Sequence, residues 1–167
     1  MHSREMDIVL NIKILILLSV ANGAPVLAKR LLGVHLARPI DCGACFVDGR
    51  PWLGSSKTIR GLAASVIATS AVAPVIGIAW KLGLLAAVAA MIGDLTASFI
   101  KRRLGYASSE MALGLDQVPE SLLPILALAP FLGLTLWDIA AVVLVFSAAT
   151  PIVSRLLFRL GIRDRPY

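Results

Sequence analysis

Asp94, Ser98 and Lys101 stand at i, i+4 and i+7 of one apolar stretch, so a helix places a carboxylate, a hydroxyl and an ammonium on a single stripe. The run from Leu82 to Ile92 before them is almost wholly apolar, and with the residues that follow it reaches membrane-spanning length. An ionisable side chain at that depth costs roughly 2.5–3.5 kcal/mol on insertion scales, which makes it a functional-site hypothesis. Taken alone, Asp94 suits either an anionic, metal-bound ligand or an ion pair with Lys101 or Arg102.

Two polar segments carry the other candidates. The first holds Arg38-Pro39-Ile40-Asp41-Cys42-Gly43, Asp48-Gly49-Arg50 and Gly54-Ser55-Ser56-Lys57-Thr58-Ile59-Arg60-Gly61. Asp48-Gly49 marks a tight turn. Gly54 to Gly61 has the composition of a phosphate-cradling segment, with backbone N–H groups, Lys57, Thr58 and Arg60 expected at the start of a helix whose dipole favours anions. It is not a Walker A loop, because that motif needs lysine directly after its second glycine. The plainer reading is a turn with basic anchors at lipid headgroups. The second segment runs from Lys101 through Arg102 and Arg103 to Glu110, Asp116-Gln117 and Pro119-Glu120. Asp116 by itself reads as a helix cap. Paired with Asp94 it becomes the second of two hard oxygen ligands suited to Mg²⁺ that also touches phosphates.

The elements that must position these groups are membrane helices. The 167 residues are 58% hydrophobic and 16% charged, with a mean hydropathy of +0.86, more apolar and less charged than a soluble domain. Five apolar segments are expected near Ile8 to Ala28, Leu62 to Trp80, Leu82 to Ile100, Leu122 to Leu136 and Ile139 to Leu160. This gives an all-α, polytopic bundle of five transmembrane helices in a single domain over residues 1–167. The fourth segment is short and holds Pro124, Pro130 and Gly133, so it should be bent or closely packed. Gly105 and Gly161 fall where helix ends need a permissive residue.

The net charge of +6 is gathered between spans and at the C-terminus, where Arg155, Arg159, Arg163 and Arg165 lie. That pattern reads as anchoring on the positive side of a membrane or as phosphate binding, not as a nucleic-acid surface. It predicts an external N-terminus and two polar loops on the cytoplasmic side. The N-terminal apolar run lacks the positive flank of a signal peptide, since Arg4 is offset by Glu5 and Asp7, so it reads as a retained span. Cys42 and Cys45 form a lone Cys-x-x-Cys that the two histidines, His2 and His35, do not complete as a zinc site.

The combination Pro39-Ile40-Asp41, Gly43, Asp48-Gly49-Arg50, Gly54, Lys57-Thr58, Arg60-Gly61, Gly93-Asp94, Ser98-Phe99-Ile100-Lys101-Arg102-Arg103-Leu104-Gly105 and Leu115-Asp116-Gln117 resembles the CDP-archaeol synthase family, small relatives of the CTP:phosphatidate cytidylyltransferases. The resemblance covers about Asn22 to Pro124. It departs at Ser56, where the family usually has glycine, and at Ala107-Ser108-Ser109-Glu110-Met111, where glycine and proline are common.

The resemblance implies a transfer of CMP from CTP to a lipid phosphate, giving a CDP-lipid and pyrophosphate. It implies Mg²⁺ on Asp94 and Asp116, phosphate contacts from Lys57, Thr58, Arg60, Ser98, Lys101, Arg102 and Arg103, and a binding role for Gln117. Asp41 and Asp48 would orient basic residues or read the cytosine. Partners are then CTP, a lipid phosphate and membrane lipids. A homodimer is compatible with so small a bundle, but no sequence feature demands one. The competing classes are a transporter with Asp94 as a coupling site and a non-catalytic lipid-binding relative.

Overall fold

The computed structural model describes residues 6–161, and within them the chain forms five α-helices. They are α1 (Ile8–Leu32), α2 (Ile59–Val75), α3 (Trp80–Arg103), α4 (Gln117–Leu132) and α5 (Leu136–Arg159). His2, Arg4, Glu5, Arg163 and Arg165 lie outside the described residues.

Three helices, α1, α3 and α5, are long and apolar enough to cross a membrane. The apolar α2 and α4 are shorter, at 17 and 16 residues. Sequence expectation and structure differ most around α2 and α4, and the fourth run, expected to reach Leu136, stops at Leu132, while Leu136 opens α5. The second apolar run was expected to reach Trp80, but α2 stops at Val75, just after Pro74, and Gly77 turns the chain at φ +76°. Trp80 instead opens α3. The fourth helix begins at Gln117, ahead of its apolar run, because the polar turn Gln117–Glu120 is already helical. It ends on Gly133, whose left-handed conformation caps it. Pro124 is fully buried, so this helix is closely packed. Gly105 and Gly161 both take positive φ just past α3 and α5, as expected.

Helix α1 touches all four of the others. One face puts Ile14 and Leu18 against Ile125 of α4 and against Val142 and Phe146 of α5. The adjacent Leu17 meets Ala73 of α2, Ala86 of α3 and Leu128 of α4. Small residues set the closest approaches, as in membrane bundles where lipid offers no hydrophobic drive for helix pairing. A Cβ on Gly83 would lie 2.6 Å from the Ala73 Cβ and 2.8 Å from the Thr69 carbonyl, so α2 and α3 meet backbone to backbone. Gly93 does the same for α3 and α4. A Cβ there would collide with the Pro119 carbonyl and lie 2.9 Å from the Glu120 nitrogen.

At the α1 N-terminus, Asp138 of α5 is 3% exposed and accepts four neutral donors. They are the Asp7 N–H at 3.2 Å, Asn11 Nδ2 at 2.8 Å, and the Thr135 N–H and hydroxyl at 2.9 and 2.7 Å. These bonds close a capping box on α5 and tie it to α1.

Candidate functional site

The contact between Gly93 and Pro119 brings the start of α4 level with Asp94. The Glu120 carboxyl then faces the Asp94 carboxyl side chain to side chain. From the end of the long first loop, Lys57 Nζ reaches Asp94 Oδ1 at 2.5 Å. One and two turns beyond Asp94, Ser98 and Lys101 are both buried. Lys101 pairs with Asp116 at 2.7 Å and donates to the Glu110 carbonyl at 2.7 Å. Three carboxylates and two ammonium groups thus form one network at one end of the bundle. Burial works against the Lys57 ammonium, but the charges of Asp94, Glu120 and Asp116 outweigh it and hold its pKa above the ordinary lysine value.

Asp116 stands before α4 but makes no side-chain cap. Its second oxygen accepts from the Ala112 N–H at 2.9 Å, which leaves the other for Lys101. Gln117, buried at the first helical position, accepts from the Gly114 N–H at 2.7 Å and so closes the preceding turn.

The first loop is held by its own polar groups. The Asp41 carboxylate accepts from the backbone N–H groups of Gly43, Leu53 and Gly54 at 2.9–3.1 Å. Burial would raise its pKa, but those donors, from Gly54, Leu53 and Gly43, outweigh it and hold the carboxyl below the usual range. The Lys57 N–H bonds the Gly54 carbonyl, the Ile59 N–H bonds Arg38, and the Thr58 hydroxyl caps α2 at the Gly61 N–H. The N–H groups of Leu53, Gly54, Lys57, Ile59 and Gly61 are engaged within the loop and helix start.

Three of the expected side chains contact the scaffold. Arg60 is buried and donates to the Gly33 and His35 carbonyls, each at 2.8 Å, at the end of α1. Arg103 pairs with Asp48, donates to the Arg50 and Pro51 carbonyls, and lies 4.8 Å from the Phe46 ring centroid and 5.2 Å from that of Phe99. Asp48 also accepts from the Arg50 N–H, so it orients cations instead of standing free. Arg50 returns the clasp by donating to the Arg103 carbonyl at 2.6 Å. Arg102, 4% exposed, donates to the Ala107 carbonyl at 2.9 Å. Cys42 and Cys45 are exposed free thiols.

Glu120 is the group that sequence reasoning passed over, because one acidic residue in a first helical turn reads as a dipole partner. The available signal was Gly93, the residue that lets Pro119 and Glu120 approach α3. For a metal, the donors are hard carboxylate oxygens. Among the described residues no three His, Cys, Asp or Glu side chains gather into a complete cage. The oxygens of Asp94 and Asp116 are the hard donor type that Mg²⁺ takes, one or two carboxylates with water and substrate phosphates completing its shell.

A family model described as CarS-like CDP-archaeol synthase matches residues 6–167. The chain is 42% identical to the CDP-archaeol synthase of Hyperthermus butylicus over 104 residues, 59% of each chain. It is 34% identical to that of Sulfurisphaera tokodaii over 154 residues, 89% of each chain. It is 37% identical to that of Pyrobaculum arsenaticum over 141 residues, 81% of this chain and 82% of that one. A solved structure described as an intramembrane enzyme for archaeal membrane lipids biosynthesis is similar with a TM-score of 0.62 and 32% identity, covering 81% of this chain and 91% of that chain.

Proposed function

This chain belongs to the CDP-archaeol synthase family, and from that premise we propose that it is a membrane CTP-dependent cytidylyltransferase making a CDP-lipid and pyrophosphate. A non-bridging oxygen of the lipid phosphate attacks the α-phosphorus of CTP. The bond from that phosphorus to the α,β-bridging oxygen breaks, and pyrophosphate leaves with the electron pair. The attacking phosphate is already an anion, so the reaction needs no strong general base. It needs two anions brought together and the charge on the leaving group stabilised.

The observation that carries the reading is the carboxylate and ammonium network around Asp94. Lys57 and Lys101 are the cations placed to attract phosphates, with Arg102, Thr58 and Ser98 beside them. Asp94 and Asp116 would hold Mg²⁺, with Glu120 facing Asp94 as a further oxygen donor. When bound, the ion would supply charge neutralisation on the phosphates. Asp41, Asp48, Arg60, Arg103 and Gln117 act one step back, holding the loops that carry these groups.

The lipid phosphate is an archaeal-type ether lipid, a choice supported by the names of the relatives and not by any tail-binding residue. All five helices cross the membrane, the N-terminus lies outside, and the site faces the cytoplasm, supported by the basic residues in its loops. The chain is one domain over residues 1–167, a reading supported by the contacts of α1 with every other helix. The site draws on one chain, so a homodimer would not be needed to complete it.

Purified protein given CTP, Mg²⁺ and a panel of ether and ester lipid phosphates should release pyrophosphate and form a CDP-lipid. No product with any of them sinks the enzyme reading. CTP binding without turnover would point to a non-catalytic relative, and substrate flux into liposomes without CTP to a transporter.

A further inference from the structure

Down the outside of α3, Val88, Ile92, Thr96 and Phe99 fall on one stripe of the helix. Val88, Ile92 and Thr96 are exposed, and the Thr96 hydroxyl turns back onto the Ile92 carbonyl at 2.8 Å. A polar group satisfied within its own helix is what a lipid-facing surface requires. Asp94, Ser98 and Lys101 stand about half a turn away around the same helix. Because α3 is long and apolar enough to cross a membrane, the exposed stripe is the face it offers to lipid.

That face does not stop where the helix ends. The first loop folds over 44–52 into a short hairpin, in which the Phe46 N–H bonds the Arg50 carbonyl at 2.8 Å and the Trp52 N–H bonds the Ala44 carbonyl at 3.1 Å. The Phe46 and Trp52 rings pack on Phe99, with centroids 5.5 and 5.7 Å from it. Asp48, the one carboxylate of the hairpin, is already paired with Arg103. What remains outermost is largely apolar. Val47 at the tip is 93% exposed and Trp52 is 44% exposed, with Ala44, Cys45 and Pro51 exposed beside them. The depth also fits. Trp80 opens α3, and Phe99 lies nineteen residues on, about 28 Å along the axis at 1.5 Å per residue. A hydrocarbon layer is roughly 30 Å thick, so the ring cluster reaches the level where aromatic side chains gather at a bilayer surface.

We infer that the hairpin over 44–52 is a lipid-contacting surface, lying in the headgroup layer beside α3 with Val47 and Trp52 against the upper ends of the lipid tails. The bilayer is its occupant, because the apolar surface continues from the lipid face of α3 and sits at the depth where that face ends. Arg50 and Arg103 stand beside it, and such side chains hold their charge at headgroup level while their stems cover apolar surface. The inference goes beyond the cytidylyl transfer, since Phe46, Val47, Trp52 and Phe99 have no part in that reaction. It moors the loop that carries Asp41 and Lys57 to the leaflet.

The probe is Trp52 fluorescence in the full chain with Trp80→Phe and Trp137→Phe, reconstituted into vesicles of phosphatidylcholine and phosphatidylglycerol. The lipid tails carry bromine near the headgroup, at mid-tail or at the tail end. Trp52 emission should fall most with bromine near the headgroup and least with bromine at the tail end, and iodide in the water should quench it weakly. Val47→Asp should shift the emission to the red and weaken the bromine quenching at an unchanged melting temperature, because the replaced side chain is exposed. Strong iodide quenching with no loss to brominated lipid would place the hairpin in water and overturn the surface. Protection from iodide with no loss to brominated lipid would assign the cover to a second copy of the chain, and overturn it equally. Bromine quenching equal to wild type in Val47→Asp would overturn the place given to the hairpin tip. No CTP or lipid phosphate enters the measurement, so the surface stands or falls apart from the reaction.

Discussion

Asp94 and Asp138 are two carboxylates drawn into opposite ends of one helical bundle, and their surroundings differ in kind. Asp138 meets four neutral donors from α1 and from its own helix start, and no cation faces it among those contacts. Asp94 meets one ammonium, Lys57, and one further carboxyl, Glu120. A carboxylate saturated by neutral donors holds two elements at a fixed distance. Two buried carboxyl groups facing each other are costly to keep as pure scaffold, because burial and proximity oppose charging both at once. The difference separates an end of the bundle that ties two helices together from the end to which we assign charge binding.

The sharpest way to break that contrast is Asp94→Asn. It should lower CDP-lipid formation by about two orders of magnitude or more, as expected when transition-state charge loses its counter-ion support. Circular dichroism should still report a folded helical protein, and retained turnover would remove Asp94 from the site. Glu120→Gln should lower turnover by about ten- to a hundredfold, less than Asp94→Asn, because it removes the facing carboxyl and leaves Lys57 paired. Equal losses in the two variants would mean that both carboxylates act as one ligand set.

Asp138→Ala should do the opposite. Stranding the donors of Asn11 and Thr135 should cost about 1–3 kcal/mol, read as a lower melting temperature, while turnover per folded molecule stays at the wild-type level. A loss of activity without a loss of stability would erase the distinction between the two ends. Arg103→Lys keeps the charge but loses the planar fork to Arg50 and Pro51 and the stacking on Phe46 and Phe99. KM for CTP should rise a few-fold with kcat little changed.

The smallest effect is a pH dependence in the first loop. The folded Asp41 carboxyl lies below its usual pKa, so the loop is held in the ordinary carboxylate range and above, and loosens as pH falls through the lowered value. Trp52 fluorescence, with Trp80 and Trp137 replaced, should report the change, and Asp41→Asn should abolish it.

The five apolar helices were legible because long apolar runs are a strong signal, and three of them reach membrane-crossing length. The ends of α2 and α4 were not, since an apolar run passes straight through the turn at Gly77 and a polar turn at Gln117–Glu120 is helical all the same. The Asp94 stripe was legible from helical spacing, and Lys57 and Asp116 were found through the motifs around them. Asp48 was legible as a group that orients basic residues, while the backbone partners of Arg60 and Arg103 were not legible. Whether a cation meets a phosphate or a backbone carbonyl depends on where the chain returns, as when Arg50 and Pro51 come back over the end of α3. Glu120 stayed hidden because its partner lies on another helix, reachable only through a missing side chain at Gly93.

The unequal helix lengths have a consequence for the lipid. At 1.5 Å per residue, α2 and α4 span about 24–26 Å, short of a hydrocarbon layer of roughly 30 Å. Lys57 and Glu120 place the starts of both near Asp94, while α3 continues to Arg103, about 14 Å further along its axis. On the five-span reading, the surrounding leaflet must thin or dip at this step to cover the shortfall. Headgroups are thereby lowered toward the carboxylates, so a lipid phosphate can arrive at reacting depth by lateral diffusion without its tails leaving the leaflet.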